Sequence, residues 1–183
     1  MEWLRHGAQH YPDRICINEY TYNDIYCGVL HVARNLAPLE ASRVAILSDN
    51  SVTMAMYVLA AILVHKEVLL LNVHLKPNEI ANQLDQLGVT AVLHSKERRS
   101  QLPDAVETQV SNLVAPIVSD SVENQLSHSV GSEAANSIVT IEFETLESIL
   151  SDLAVEDSFD WTFADADIAA IMNTSATTGQ FKS

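Results

Sequence analysis

The sequence predicts an α/β fold, a mostly parallel sheet flanked by helices. Three observations predict it. Short runs rich in Val, Ile and Leu recur at 44–47, 68–71 and 90–93, the type of strand that is buried on both faces of a parallel sheet. Segments with apolar residues at helical spacing separate them. Apolar residues make up 48% of the chain and charged residues 19%, an ordinary globular balance able to build a core. A length of 183 residues suits one domain, or one large piece of a bigger one.

Each element follows in order. Trp3 to His10 reads as a short helix stopped by Pro12, since the residue before a proline is turned away from helix. Arg14 to Asn18 and Tyr20 to Tyr22 read as a small hairpin. Asn23 then serves as the expected N-cap of a helix from Asp24 to Leu36, ended by Pro38. Ile25, Val29, Ala33 and Leu36 give it one apolar face. Arg43 to Leu47 is a strand. Asp49-Asn50-Ser51 supplies the cap of a helix from Val52 to Val64 that is apolar on nearly every face, so it must be covered on several sides.

Val68 to Leu71 is the next strand. Pro77 suits a first helical position and Gly88 a position just past the end, and Ile80, Leu84 and Leu87 lie on one face between them. Thr90 to Leu93 follows as a strand. Alternation of this kind predicts parallel pairing through right-handed crossovers. Residues 95–137, rich in Ser, Asn, Gln, Asp and Glu, read as a variable excursion with a short helix or two. Ile138 to Phe143 is a candidate strand and Thr145 to Leu153 a helix. Residues 156–167 form an acidic loop, and the acidic run from 152 reads as a solvated surface. Ile168 to Met172 is the last strand.

Charge and composition exclude several function classes. Lys+Arg number 10 and Asp+Glu 24, so the net charge is 10 − 24 = −14. Binding a phosphate backbone needs clustered cations, so no nucleic acid is expected. An anionic membrane surface is disfavoured for the same reason. The longest apolar run, Met54 to Val64, is about half the length that a membrane span requires. The first residues, Met1 to His6, carry no secretory signal pattern. Two cysteines, Cys16 and Cys27, make no disulfide framework and read as small buried hydrophobes. A cytoplasmic setting follows. The seven histidines show no metal spacing with a third ligand. His6 and His10 are four apart on a helix, yet two ligands alone do not make a site, and no metal site is expected. Asp165 and Asp167 read as solvated residues leading into a strand, and Asn50 and Asn72 as cap and turn residues.

One segment is chemically loaded. After the last strand comes Thr174-Ser175-Ala176-Thr177-Thr178-Gly179-Gln180-Phe181-Lys182-Ser183. Small residues let backbone N–H groups approach an anion, hydroxyls donate to phosphate oxygens, and a lysine adds a point charge. These are the properties of a phosphate loop. The spacing is not G-x-x-x-x-G-K-S/T, because Thr174 stands five residues before Gly179 and Gln180 follows it. A single glycine cannot make the dinucleotide fingerprint either. A P-loop phosphotransferase is thereby disfavoured.

The segment resembles the hallmark Y-T-S-G-T-T-G-K-P-K-G of acyl-adenylate-forming enzymes, which follows a strand often reading D-D-I-A-x-I-M. Asp165 to Asn173 leads into the loop in the same way, and Thr174, Ser175, Thr177, Thr178, Gly179 and Lys182 match position by position. Upstream, Tyr20 to Ile25, Arg43 to Leu47 with Asn50-Ser51, and Leu71 to Ile80 are also similar to family segments. The resemblance covers nearly the whole chain outside 95–160. Its wording is most like the o-succinylbenzoate–CoA ligases of menaquinone synthesis. Ala176, Gln180 and Phe181 depart from the hallmark, with Ala176 standing where the family has a glycine, and Ser183 replaces a Gly or Ala.

The resemblance implies the N-terminal part of the large domain of such an enzyme, with the phosphate loop at 173–183. It implies ATP with Mg2+, a small carboxylic acid and CoA as ligands, and it permits a homo-oligomer. Thr174, Ser175, Thr177, Thr178, Gly179 and Lys182 would hold the β- and γ-phosphates. Parts known in the family lie beyond this stretch: the later aromatic-Gly-x-Thr-Glu motif, the ribose-binding Asp and the C-terminal domain with its adenylation lysine. The chain is therefore expected to be an N-terminal fragment, inactive by itself, and no catalytic residue is assigned in it. The competing expectation is a non-enzymatic α/β binding or interaction module with an incidental Thr/Ser-rich loop.

Overall fold

The structure, a computed structural model, describes residues 1–103, 138–151, 156–163 and 170–172. Helix α1 spans Glu2–His10, and a two-stranded antiparallel hairpin follows, β1 at Ile15–Ile17 and β2 at Tyr20–Thr21. Helix α2 spans Tyr22–Leu36. It starts earlier than the spacing suggests. The cap is Thr21 rather than Asn23: the Asp24 N–H donates to Thr21 Oγ1 at 3.2 Å, and Asp24 Oδ2 accepts the Thr21 N–H at 2.8 Å. Two orphan donors of the first turn are thus satisfied reciprocally. Tyr22, assigned above to the hairpin, is the first helical residue.

Strand β3 (Arg43–Leu47), helix α3 (Val52–Leu63), strand β4 (Glu67–Leu70), helix α4 (Pro77–Gln86) and strand β5 (Ala91–His94) come next. Ser51, rather than Asn50, caps α3 by accepting the Met54 N–H at 3.0 Å. Gly88 sits past the end of α4 at φ +62°. Its N–H donates to Asp85 O while the Val89 N–H donates to Leu84 O, a helix stop that needs a left-handed residue. A 3-10 helix covers Lys96–Gln101. Strand β6 (Val139–Glu142), helix α5 (Leu146–Ser151) and strand β7 (Ala170–Met172) complete the described elements. Residues 152 and 153 of the expected Thr145–Leu153 helix, and 168 and 169 of the last expected strand, lie outside the described residues.

The main sheet has five strands in the order β6-β5-β3-β4-β7, and every pairing is parallel. Its register pairs Val44 with Val68 and with Ala91. Side chains alternate between the faces, and the burial follows. Val44, Ile46, Val68 and Leu93 join α1, α2 and α3 in one core, whereas Ala45, Leu47, Leu69 and Val92 join α4 in another. The chain moves one way from β3 to β4 and back past β3 to β5. Crossovers of one hand in opposite directions put their helices on opposite faces, which is where α3 and α4 lie. Helix α2 packs on α3, with α1 and α5 against it, and this second layer explains how the almost uniformly apolar α3 is covered.

Lys66 shows how the turn between α3 and β4 is tied down. It is 7% exposed, and its Nζ donates to Leu39 O at 2.5 Å and Ala41 O at 3.0 Å. Burial pulls the amine below its ordinary pKa.

Candidate functional site

All five parallel strands finish at one edge of the sheet, at Leu47, Leu70, His94, Glu142 and Met172. In open α/β sheets ligands bind outside this carboxyl edge, where neighbouring strands send their connections to opposite faces. Strands β3 and β5 are such neighbours. The loops that leave them are joined: Arg98, on the 3-10 helix after β5, donates from Nε to Asp49 Oδ2 at 2.9 Å and from Nη2 to Oδ1 at 2.5 Å. Those hydrogen bonds, followed by the guanidinium charge and the nearby His74, hold the Asp49 carboxyl below the usual carboxylate range. Loops after β3, β4 and β5 therefore converge on one carboxylate. Asn72 makes the expected turn by accepting the His74 N–H at 2.9 Å, and His74 lies in that turn.

Strand β7 brings the chain to the same edge. It lies beside β4, with Val68 opposite Ala170 and Leu70 opposite Met172. Thr174, Ser175, Thr177, Thr178, Gly179 and Lys182 follow it in sequence and lie outside the described residues, as do Ala176, Gln180, Phe181, Asp165 and Asp167. The structure thus gives the strand that leads to the loop and the edge at which that strand ends.

Two polar clusters hold the later segments of the chain on the first helices. Sequence spacing could not find either, because the contacts that tie these segments to the helices join residues 87 or more positions apart. In the first, Glu144, just after β6, accepts from His31 Nε2 at 3.1 Å, Asn35 Nδ2 at 2.8 Å and Ser148 Oγ at 3.3 Å. The Glu144 N–H donates to Tyr57 Oη at 2.9 Å, and Tyr57 stacks on Phe143. In the second, Asp157 accepts from Tyr26 Oη at 2.5 Å and from Trp161 Nε1 at 2.9 Å, and pairs with Arg5 at 3.5 Å. Burial, then the Asp157 hydrogen bond, pushes the Tyr26 phenol up.

The second cluster corrects the solvated reading of the acidic run. Its acids and hydroxyls do face solvent at 156, 158, 160 and 162, but Trp161 is buried and Phe159 and Phe163 are half-buried against the core. The aromatic residues, placed at every second position, were the signal in the sequence. Cys27 is buried and Cys16 half-buried, both free, and burial raises both thiols, which matches the reading of small hydrophobes.

The Glu144 cluster carries a pH prediction. The hydrogen bond from His31, ahead of the other contacts, lowers the Glu144 pKa in the fold. A depressed carboxyl binds its proton less readily when folded, so its contribution is present above the ordinary carboxylate range. That contribution is lost as pH falls through the lowered value. At one-third exposure of the side chain the contribution is about 1 kcal/mol. Glu144→Gln is expected to lower stability by that amount at pH 7 and by progressively less as the pH falls below the ordinary carboxylate range, read from urea unfolding of both proteins across the range. A gap that stays constant with pH would show that the charge does not matter.

Comparison with known proteins agrees with this architecture. The family described as AMP-binding enzyme matches residues 4–183. The 2-succinylbenzoate–CoA ligase of Lactococcus lactis is 35% identical over 100% of the chain and 33% of its own length. That of Staphylococcus aureus is 28% identical over 98% of the chain and 35% of its own length. The chain spans about a third of the length of these curated relatives. Among solved structures, the inhibitor-bound N-terminal domain of FACL13 from Mycobacterium tuberculosis superposes with a TM-score of 0.70 at 21% identity, covering 98% of this chain and 42% of that one. The o-succinylbenzoate coenzyme A synthetase MenE of Bacillus subtilis, in complex with AMP, gives 0.64 at 22%, covering 98% and 40%. At such identities the likeness is one of fold. Among the described residues no helix is long and apolar enough to cross a membrane.

Proposed function

We propose, because this chain belongs to the AMP-binding enzyme family, that the protein carrying it is an ATP-dependent carboxylate–CoA ligase acting on 2-succinylbenzoate. The observation that carries the substrate is the 35% identity to a 2-succinylbenzoate–CoA ligase along the whole chain. The carboxyl-edge position of β7 supports the phosphate-loop reading, because a loop following Met172 starts where ligands bind in open parallel sheets.

The chemistry runs in two steps. A carboxylate oxygen of the acid bonds to the α-phosphorus of MgATP, the bond from that phosphorus to the bridging oxygen breaks, and pyrophosphate leaves. The CoA sulfur then bonds to the acyl carbon, AMP leaves with the carboxylate oxygen, and the thiol proton passes to solvent. Negative charge grows on the departing pyrophosphate, so positioned donors and cations are the protein's main contribution. The hydroxyls of Thr174, Ser175, Thr177 and Thr178, the backbone at Gly179 and the ammonium of Lys182 are assigned to the β- and γ-phosphates. A cytoplasmic setting accords with the two free cysteines.

Three variants test the loop, made in a full-length ligase carrying this chain and followed by pyrophosphate release against ATP concentration. A charged donor is roughly twice as strong as a neutral one, so Lys182→Ala is expected to weaken adenylation about tenfold more than Gln180→Ala. Ala176→Gly is expected to be neutral or to improve activity, since glycine adopts the left-handed region without strain. If Lys182→Ala behaves as the parent while Ala176→Gly is crippled, the loop assignment is wrong. If no variant or parent turns over 2-succinylbenzoate while another acid is activated, the substrate assignment fails and the loop assignment stands.

A further inference from the structure

The rings of His6 and His10 stand 4.3 Å apart, centre to centre, with their planes tilted by 46°. Both residues are exposed on α1. Among the described residues no hydrogen bond or ion pair engages either ring; the contacts they make are with each other and with the Tyr11 ring, 6.4 Å from each. Their four-residue spacing puts both on one face, and the same spacing lets two histidines hold one metal ion in helical metalloprotease motifs.

The separation says which metal geometry fits. A metal-bound imidazole nitrogen lies about 2.0–2.1 Å from the ion, which puts the ring centre about 3.2 Å away. Two such rings at about 90° then stand about 4.5 Å apart, and at the tetrahedral angle about 5.2 Å. The observed 4.3 Å brings the rings close enough to share one ion and is nearer the right-angled spacing than the tetrahedral one. Right-angled nitrogen ligation is characteristic of Cu2+ and Ni2+, whereas Zn2+ favours a tetrahedral site. Position adds to the fit, because His10 lies in the last turn of α1, where the helix dipole attracts a cation.

Against the sequence expectation of no metal site, we infer that the approach of the two rings makes His6 and His10 an open two-imidazole chelate on α1 for a divalent ion of the Cu2+ or Ni2+ class, with water in the remaining positions. No third His, Cys, Asp or Glu completes a group of three among the described residues. The site is therefore an open surface chelate and not a closed structural one. The ion would link the first two turns of α1 to its last, across the helix whose Leu4 and Gly7 are buried. A site of this kind lies apart from the carboxyl edge of the sheet and does not depend on the ligase reading.

The test uses the full chain and titrates Cu2+, Ni2+ and Zn2+ separately. Parent, His6→Gln and His10→Gln are compared by equilibrium dialysis at neutral pH, with the Cu2+ forms also examined by electron paramagnetic resonance. Both substitutions are on the surface, and circular dichroism confirms that the variants fold. The parent is expected to hold one Cu2+ and one Ni2+ at least tenfold more tightly than either variant and to prefer Ni2+ over Zn2+. Its Cu2+ spectrum is expected to be tetragonal with coupling to two nitrogens, reduced to one in each variant. Equal affinity in parent and variants, loss on substituting only one of the two residues, or Zn2+ bound more tightly than Ni2+ would each overturn the assignment.

Discussion

Trp161→Ala is expected to be among the most damaging single changes in the described structure, lowering stability by about 3–5 kcal/mol. Trp161 is 5% exposed. Its ring stacks on Tyr26 with centres 5.8 Å apart and planes 20° apart, and the Arg5 guanidinium lies over it at 6.0 Å. The indole N–H donates to Asp157. Truncation therefore leaves a cavity between α1, α2 and the 156–163 segment, and takes one donor from a carboxylate that holds the segment in place. For a chain of this size the loss corresponds to a fall in Tm of roughly 6–20 °C. Trp161→Phe keeps much of the stacking and loses the N–H, so about 1 kcal/mol is expected. Urea unfolding followed by circular dichroism measures both. A Trp161→Ala protein within 1 kcal/mol of the parent would show that this segment does not bind the helices as described.

Gly7→Ala is expected to destabilise by about 1–3 kcal/mol, against the usual rule that alanine is the better helix former. A Cβ at Gly7 would stand 2.2, 2.3 and 2.8 Å from three carbons of the Tyr22 ring. That ring is rigid and part of the α1–α2 contact, so the helices must separate or the ring must turn. The sign depends on the ring, which makes the test a double-mutant cycle. In a Tyr22→Ala background, Gly7→Ala should become stabilising by about 0.5–1 kcal/mol. Destabilisation that persists without the ring would place the cause in the backbone and refute the packing argument.

Local chemistry was legible wherever one segment carries its own signal. The β-α-β-α-β order from Arg43 to His94, the Ser51 cap, the Gly88 stop and the apolar faces of α2 and α4 were all readable. Each depends on residues within about four positions of one another. Boundaries slipped by a residue or two where two caps competed, as at Thr21 and Asn23. The family is equally a sequence property, because its hallmark and flanking strand are contiguous from Asp165 to Lys182.

What lay beyond the sequence was every relation between distant segments. The strand order β6-β5-β3-β4-β7 places β3, the first of the five in sequence, at the centre, and no local pattern encodes that. His31 and Asn35, which meet Glu144, and Tyr26, which meets Asp157, belong to a helix more than a hundred residues earlier, so an acidic stretch that looked merely solvated became a point of attachment. The spacing of His6 and His10 was visible, but the approach of their rings to 4.3 Å was not. The physical reason is the same throughout. Periodicity and caps are set by short-range sterics and hydrogen bonding, which the order of residues determined by itself. Which carboxylate meets which donor, and which ring blocks which helix, was decided only when burial of the apolar faces brought separate elements together.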